Sequence, residues 1–266
     1  MISRTNGHQR GESGQAAVEA ALTLPLTVFL ILGTLQLFLM LQGRIMAEYA
    51  AFEAVRAGSR HHGDCKRMMH ATLAGLLPSV VPYLGNGTRG GTAAEKLALA
   101  WRQRIGDTEK PEPRYKPGVD GQHDGPIFWL AREQPLAESV PGPEDERFDA
   151  PGREEGGIRL EVRLIYWFPL KVPFADWVMS RMFLAHYGLR DYTAANPLML
   201  AQKHAGWTAG RAVPGLDRKI RDEFVSRFDS RQYVFPIQAT YGMRMMTPAQ
   251  AQHFQQQNCG DMPQRL

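Results

Sequence analysis

Between residues 20 and 41 the chain runs for 22 residues without a charged side chain. As a helix this stretch is about 33 Å long, enough to cross a hydrocarbon core of roughly 30 Å. A cleavable secretory signal has an apolar region of only about 7–15 residues, followed by small residues at a cleavage site. Here the run is longer and leads into Gln42, Gly43 and Arg44, so it is expected to remain as an anchor. Arg4 and Arg10 precede it with Glu12 opposing them, and after it Arg44 and Arg56 are balanced by Glu48 and Glu53. The positive-inside tendency then favours a cytoplasmic N-terminus and an exported remainder. A mean hydropathy of −0.33 over the whole chain shows that the rest is quite polar, which argues against a plain cytosolic protein.

The helical pattern continues beyond the anchor. Ile45, Met46, Tyr49, Phe52 and Val55 fall on one stripe, with Arg44/Glu48 and Glu53/Arg56 as ion pairs on the other side. One helix is expected from about residue 16 to residue 57, ended by Gly58. Pro25 withdraws a backbone donor inside it, so a bend is expected one turn earlier, near Ala21. An apolar stripe on the half of the rod in water needs a surface to pack on, either its own soluble domain or neighbouring copies.

Other classes are weakened by composition. The 22% charged fraction and net charge of +4 are ordinary, and no Lys/Arg run grips phosphate, so nucleic acid is not an expected partner. Two cysteines, Cys65 and Cys259, are too few for a disulfide framework or a four-thiolate metal site. His61, His62, Asp64, Cys65 and His70 include ligand types at spacings that match no standard tetrahedral site, so no metal is expected. The glycine-rich stretch 85–91 lacks the Gly-Lys-Ser/Thr of a phosphate loop, and no cofactor is expected. No nucleophile with its base and oxyanion donors can be assembled, so the chain reads as a non-enzyme.

At the start of the rod, residues 10–26 read RGESGQAAVEAALTLPL. This segment resembles the TadE/TadG-like minor pseudopilins of the tight-adherence (type IVb) pilus system, with their short basic leader, Gly-Gln-Ala-Ala-Val-Glu and an Ala/Leu/Pro run. Type II secretion pseudopilins and type IVa pilins instead tend to place an aromatic residue after the glycine. Gln15 here favours the tight-adherence branch. The resemblance implies cleavage by a prepilin peptidase after Gly14, leaving Gln15 first and Glu19 fifth. It implies Glu19 as the contact that sets register between subunits, and as partners membrane lipid, the peptidase, other pilins or pseudopilins and the assembly platform. It further implies a single-pass protein of the bacterial inner membrane, with a cytoplasmic N-terminus and a periplasmic C-terminal domain, that joins a pilus. Glu19 can also be argued from physics. A carboxylate at the edge of an apolar run costs up to about 2.5–3.5 kcal/mol at mid-bilayer and needs a partner, which the amine created at Gln15 of an adjoining copy would supply. The simpler alternative has Glu19 reaching to headgroups and favouring the positive helix N-terminus.

The expected fold class is α+β, with the long N-terminal helix entering an exported domain that has a small antiparallel sheet and several amphipathic helices. The chain divides into a leader (1–14), the transmembrane and extended helix (15–57), a helical segment (58–109), a Pro/Gly-rich loop (110–157), an α+β domain (158–246) and a flexible tail (247–266). Helices are expected over 64–77, Ala93–Ile105, 174–187 and 216–228. Strict alternation of Ile158, Leu160, Val162, Leu164, Tyr166 and Phe168 with Arg159, Glu161 and Arg163 marks a strand. A second strand over 234–246 places Ile237, Ala239, Tyr241, Met243 and Met245 on one face, and the two should pair antiparallel. Residues 158–178 and 234–246 also resemble the C-terminal part of TadE-like proteins. Residues 164–184 are apolar enough to invite a second span, but Lys171, Asp176 and Arg181 with two prolines favour an interfacial or core helix. If the domain is periplasmic, Cys65 and Cys259 are able to pair, stabilising by at most about 5 kcal/mol. A second functional reading keeps the chain uncleaved, as a single-pass anchor carrying a periplasmic binding module.

Overall fold

A computed structural model describes residues 12–80, 92–140, 158–186 and 218–260. The leader up to residue 11, the stretch 85–91, most of the charged part of the loop, Tyr187, Leu216 and the last six residues lie outside the described residues. The class is α+β. Helix α1 covers Glu12–Arg60, α2 Cys65–Val80, α3 Ala93–Ile105, α4 Ala175–His186 and α5 Arg218–Asp229. Strands β1 (Phe128–Gln134), β2 (Arg159–Pro169), β3 (Val234–Arg244) and β4 (Asn258–Cys259) form one antiparallel sheet in the order β3-β2-β1-β4.

The expected pair of strands forms along its full length, from Arg159 opposite Arg244 to Pro169 opposite Val234. The alternating face of β2 looks toward α1 and α2: Leu160 meets Gly58, Tyr166 bonds Ser79 and Phe168 meets Gly43. On its other face, polar residues give way to buried Ile165 and Trp167, with Trp167 lying beneath Arg227 of α5 and edge-on to Trp129 of β1. The run 164–184 thus ends a strand and begins α4, and does not form a second span.

Four sequence expectations are corrected. Helix α1 does not end at Gly58. It continues to Arg60 and closes on left-handed His62 (φ 57°), with the Gly63 N–H donating to the Gly58 carbonyl at 2.8 Å. Gly58 is needed for proximity, because a Cβ there would lie 2.7 Å from Leu160 and Met68.

The face that α1 turns to the domain is also not the large apolar stripe. Ala47, Ala50, Ala51, Ala54 and Val55 are fully buried, while Ile45 and Tyr49 are more than half exposed and Met46 and Phe52 lie between. Small residues win because they let backbones approach: a Cβ on Gly75 of α2 would stand 3.0 Å from the Ala50 Cα, and one on Gly43 would stand 2.5 Å from the Phe168 ring.

The region read as a loop from 110 to 157 contains β1, whose first five residues are buried. Its short apolar run Phe128–Ala131 has no alternation to separate it from the surrounding prolines.

The tail is not frayed through residue 260. It forms a 3₁₀ turn and β4, and its carbonyls are gathered by Arg132. The fully buried Arg132 guanidinium donates to the carbonyls of Gly63 (2.9 Å), His253 (2.7 Å), Gln256 and Gln257 (3.4 Å) and lies over the Phe254 ring. Burial pushes its pKa down to about 10, which leaves it charged at neutral pH. Beside this clamp, Cys65 and Cys259 are joined in a disulfide that ties β4 to the start of α2.

Candidate functional site

The feature that sets this molecule apart from an ordinary small domain is the length of α1 left uncovered. Val18, Leu22, Leu24, Leu26, Leu30, Ile31 and Leu35 are all more than half exposed, and they point in every direction around the helix. One helix, Ala17–Arg60, is long and apolar enough to cross a membrane among the described residues. A rod that is apolar all round is stable only where water is excluded, in lipid or among other apolar helices. Threonines within it hide their hydroxyls by bonding back along the helix, Thr23 to the Glu19 carbonyl (2.8 Å), Thr27 to Thr23 (2.9 Å) and Thr34 to Ile31 (2.8 Å).

Gly14, Gln15, Glu19 and Pro25 all lie within α1. Gly14 is exposed, with open space where a Cβ would stand, so the backbone there is accessible from outside the helix. Glu19 is exposed one helical turn further on, and Pro25 sits inside the continuous helix. The cysteines belong to a different place, just beyond the far end of α1, about 60 Å of helix rise from Glu19.

The rod meets the domain at a polar collar that the sequence reading missed. Gln36, fully buried, accepts at Oε1 from the backbone N–H groups of Lys171 (3.0 Å) and Val172 (2.9 Å). Lys171 Nζ then donates to the Ser79 carbonyl near the end of α2 (2.6 Å), and the Ser79 hydroxyl pairs with Tyr166 (2.9 Å). Burial raises the Tyr166 pKa and lowers that of Lys171. The only signal in the sequence was a lone glutamine inside a charge-free apolar run.

No group of three or more His, Cys, Asp or Glu able to hold a metal occurs among the described residues. Cys65 is in the disulfide, His62 Nδ1 bonds the Pro248 carbonyl (2.8 Å), Asp64 caps α2 and His70 lies edge-on to Trp101. A cavity of about 50 Å³ beside the disulfide, lined in part by Met69, Phe128 and Trp129, has room for a few waters and not for an organic substrate.

The family of TadE-like proteins matches residues 14–56, which begin at the exposed glycine and end four residues short of the end of α1. The match does not extend to residues 158–178 and 234–246. Among curated proteins and solved structures, none matches the chain. The TadE-like segment supports a role related to the tight-adherence pilus and an association with membrane, in a class whose members are structural.

Proposed function

We propose that this chain is a non-enzymatic minor pseudopilin, cut by a prepilin peptidase between Gly14 and Gln15 and assembled through α1 into a tight-adherence pilus or a related secretion apparatus. Its domain lies on the periplasmic side of the bacterial inner membrane, and other pilins and the assembly platform are its partners. The observation that carries this reading is the TadE-like match over the uncovered rod. The rod's length supports it too. From Gln15 to Leu35 the helix rises about 30 Å, the thickness of a hydrocarbon core. Glu19 then sits about 6 Å inside the cytoplasmic boundary, where its carboxylate gains most from the new amine of a neighbouring copy.

The packing of α1 also supports assembly through its exposed side. The domain occupies the small-residue face and leaves Phe38, Leu41, Ile45 and Tyr49, at helical spacing, facing outward on the same rod. That stripe continues the apolar sleeve above the membrane and suits the helices of neighbouring subunits.

Intact mass of the membrane-extracted protein tests the reading. Loss of residues 1–14 is expected in cells with an active prepilin peptidase. Gly14→Ala should block that loss, while Glu19→Ala should permit it and impair assembly. Recovery of the full-length chain from such cells would overturn the proposal and leave an uncleaved single-pass anchor carrying a periplasmic module. Normal pili in a Glu19→Ala strain would remove the register role from Glu19.

A further inference from the structure

Helix α4 is tied to α1 at a level where α1 is otherwise bare. The Phe174 ring packs edge-on against Phe29 with centroids 6.0 Å apart, and on the rest of that turn Leu26 and Leu30 are 60% and 56% exposed. Seven residues separate Phe29 from the collar at Gln36, about 10 Å of helix rise toward the N-terminus. The domain therefore does not stop where the rod leaves it. The turn before α4 reaches down alongside the apolar sleeve. Phe174 takes a left-handed backbone (φ 71°), uncommon for a bulky residue, in the turn that carries its ring to α1.

The outward face of α4 and the turn before it carry exposed apolar side chains. Phe174, Trp177 and Met182 are 55%, 41% and 61% exposed, and Arg181 lies over the Trp177 ring at 4.7 Å. The opposite face is anchored in the domain through buried Met179 and Leu184 and through Phe183 against Phe235. An aromatic with a polar edge, a flexible thioether and a cation on a short amphipathic helix are the side chains of the lipid interface.

We propose that α4 and the turn before it form a second membrane contact, a monotopic helix lying in the outer leaflet of the bilayer that α1 spans. This rests on the reading of α1 as embedded. Once α1 occupies the hydrocarbon from about Gln15 to Leu35, a ring packed edge-on against Phe29 is itself below the headgroups. The depth of about 10 Å matches the roughly 5–10 Å to which interfacial helices bury their apolar face. Lipid is the occupant because the patch is continuous with the surface of the span. The contact would fix the tilt of the domain on the membrane and would have to be withdrawn when the subunit leaves the bilayer.

The test uses the full chain in vesicles of phosphatidylethanolamine and phosphatidylglycerol whose acyl chains are brominated near the headgroup. Tryptophan emission should be quenched, and Trp177→Phe should abolish the Trp177 share of that quenching while α1 resists alkaline extraction. A photoreactive benzophenone side chain placed at Met182 should crosslink to lipid. Equal quenching in the unaltered chain and Trp177→Phe, with α1 still retained, would overturn this inference alone. So would crosslinking of position 182 to a second copy or another protein. Release of the whole chain by alkali would overturn the anchor reading and this one with it.

Discussion

Residues 20–35 and 36–60 of α1 belong to one 49-residue helix, yet the first length presents mostly apolar side chains all round while the second turns alanines and glycines to α2 and the sheet. The difference is one of what excludes water. In the upper length the exclusion is internal: α2, β2 and β3 close on Ala47, Ala50, Ala51 and Ala54, and small size matters more than hydrophobicity because backbones must come within about 3 Å of an added Cβ. In the lower length the chain supplies almost no cover of its own, and stability has to come from lipid or other helices. The upper half is therefore expected to respond to changes in packing and covalent ties, the lower half to changes in polarity.

The largest effect should come from the covalent tie. Changing both Cys65 and Cys259 to serine opens a loop spanning a sequence separation of 194 and should cost the domain about 4–5 kcal/mol in the chain-entropy model. Denaturant unfolding of the domain in detergent measures it. Retention of α1 in membranes should be unchanged, and a joint loss would show that the two lengths of helix are not separable. Next is a charge in the bare half. Leu24 is 63% exposed near the middle of the uncovered span, so Leu24→Arg should cost about 2.5–3.5 kcal/mol of insertion and lower the membrane-retained fraction. The domain's unfolding midpoint should not move.

A glycine pair sharpens the contrast with matched chemistry. At Gly43 a Cβ would fall 2.5 Å from the Phe168 ring, whereas at Gly33 nothing lies within 4 Å. Gly43→Leu should destabilise the domain by about 1–3 kcal/mol through overpacking, and Gly33→Leu should leave its unfolding midpoint where it was. Equal shifts for the two variants would break the division between the halves.

The same contrast explains what could be read from the sequence. The bare half was legible as a long apolar helix with a TadE-like start, because a charge-free run of 22 residues and the segment from Gly14 onward are local patterns that need no partner to define them. So were β2 and β3 as a pair, although their alternation held only in part: Ile165 and Trp167 are buried on the second face of β2, and Tyr241 on the apolar face of β3 is 42% exposed. The packed half was misread because the rule that large apolar residues seek the core fails where an approaching helix needs alanine and glycine. Strand β1, the ordered tail, Arg132 and the Gln36 collar were missed for another reason. Each is defined by a contact across a long stretch of sequence, such as Arg132 reaching Gly63 and His253 or Gln36 reaching Lys171, and no local spacing encodes it.

The smallest effect separates the halves by proton. His123 packs against Tyr115, and burial lowers its pKa, helped by the nearby charges of Arg227 and Lys171 and opposed by Asp120. His70, beside Trp101, is lowered by burial as well, then by Lys66 and Arg67, with Asp64 opposing. A histidine whose folded pKa lies below its unfolded value of 6.5 binds a proton more readily in the unfolded chain. The stability it contributes is complete above pH 6.5 and is lost as the pH falls from there through the folded value. The domain's unfolding midpoint should therefore decline between pH 7.5 and pH 5.5, and His123→Gln should flatten part of that decline. Retention of α1 in the membrane should be level across the same range, since neither histidine touches the uncovered length. A midpoint that rises on acidification would reverse the sign and remove burial as the cause.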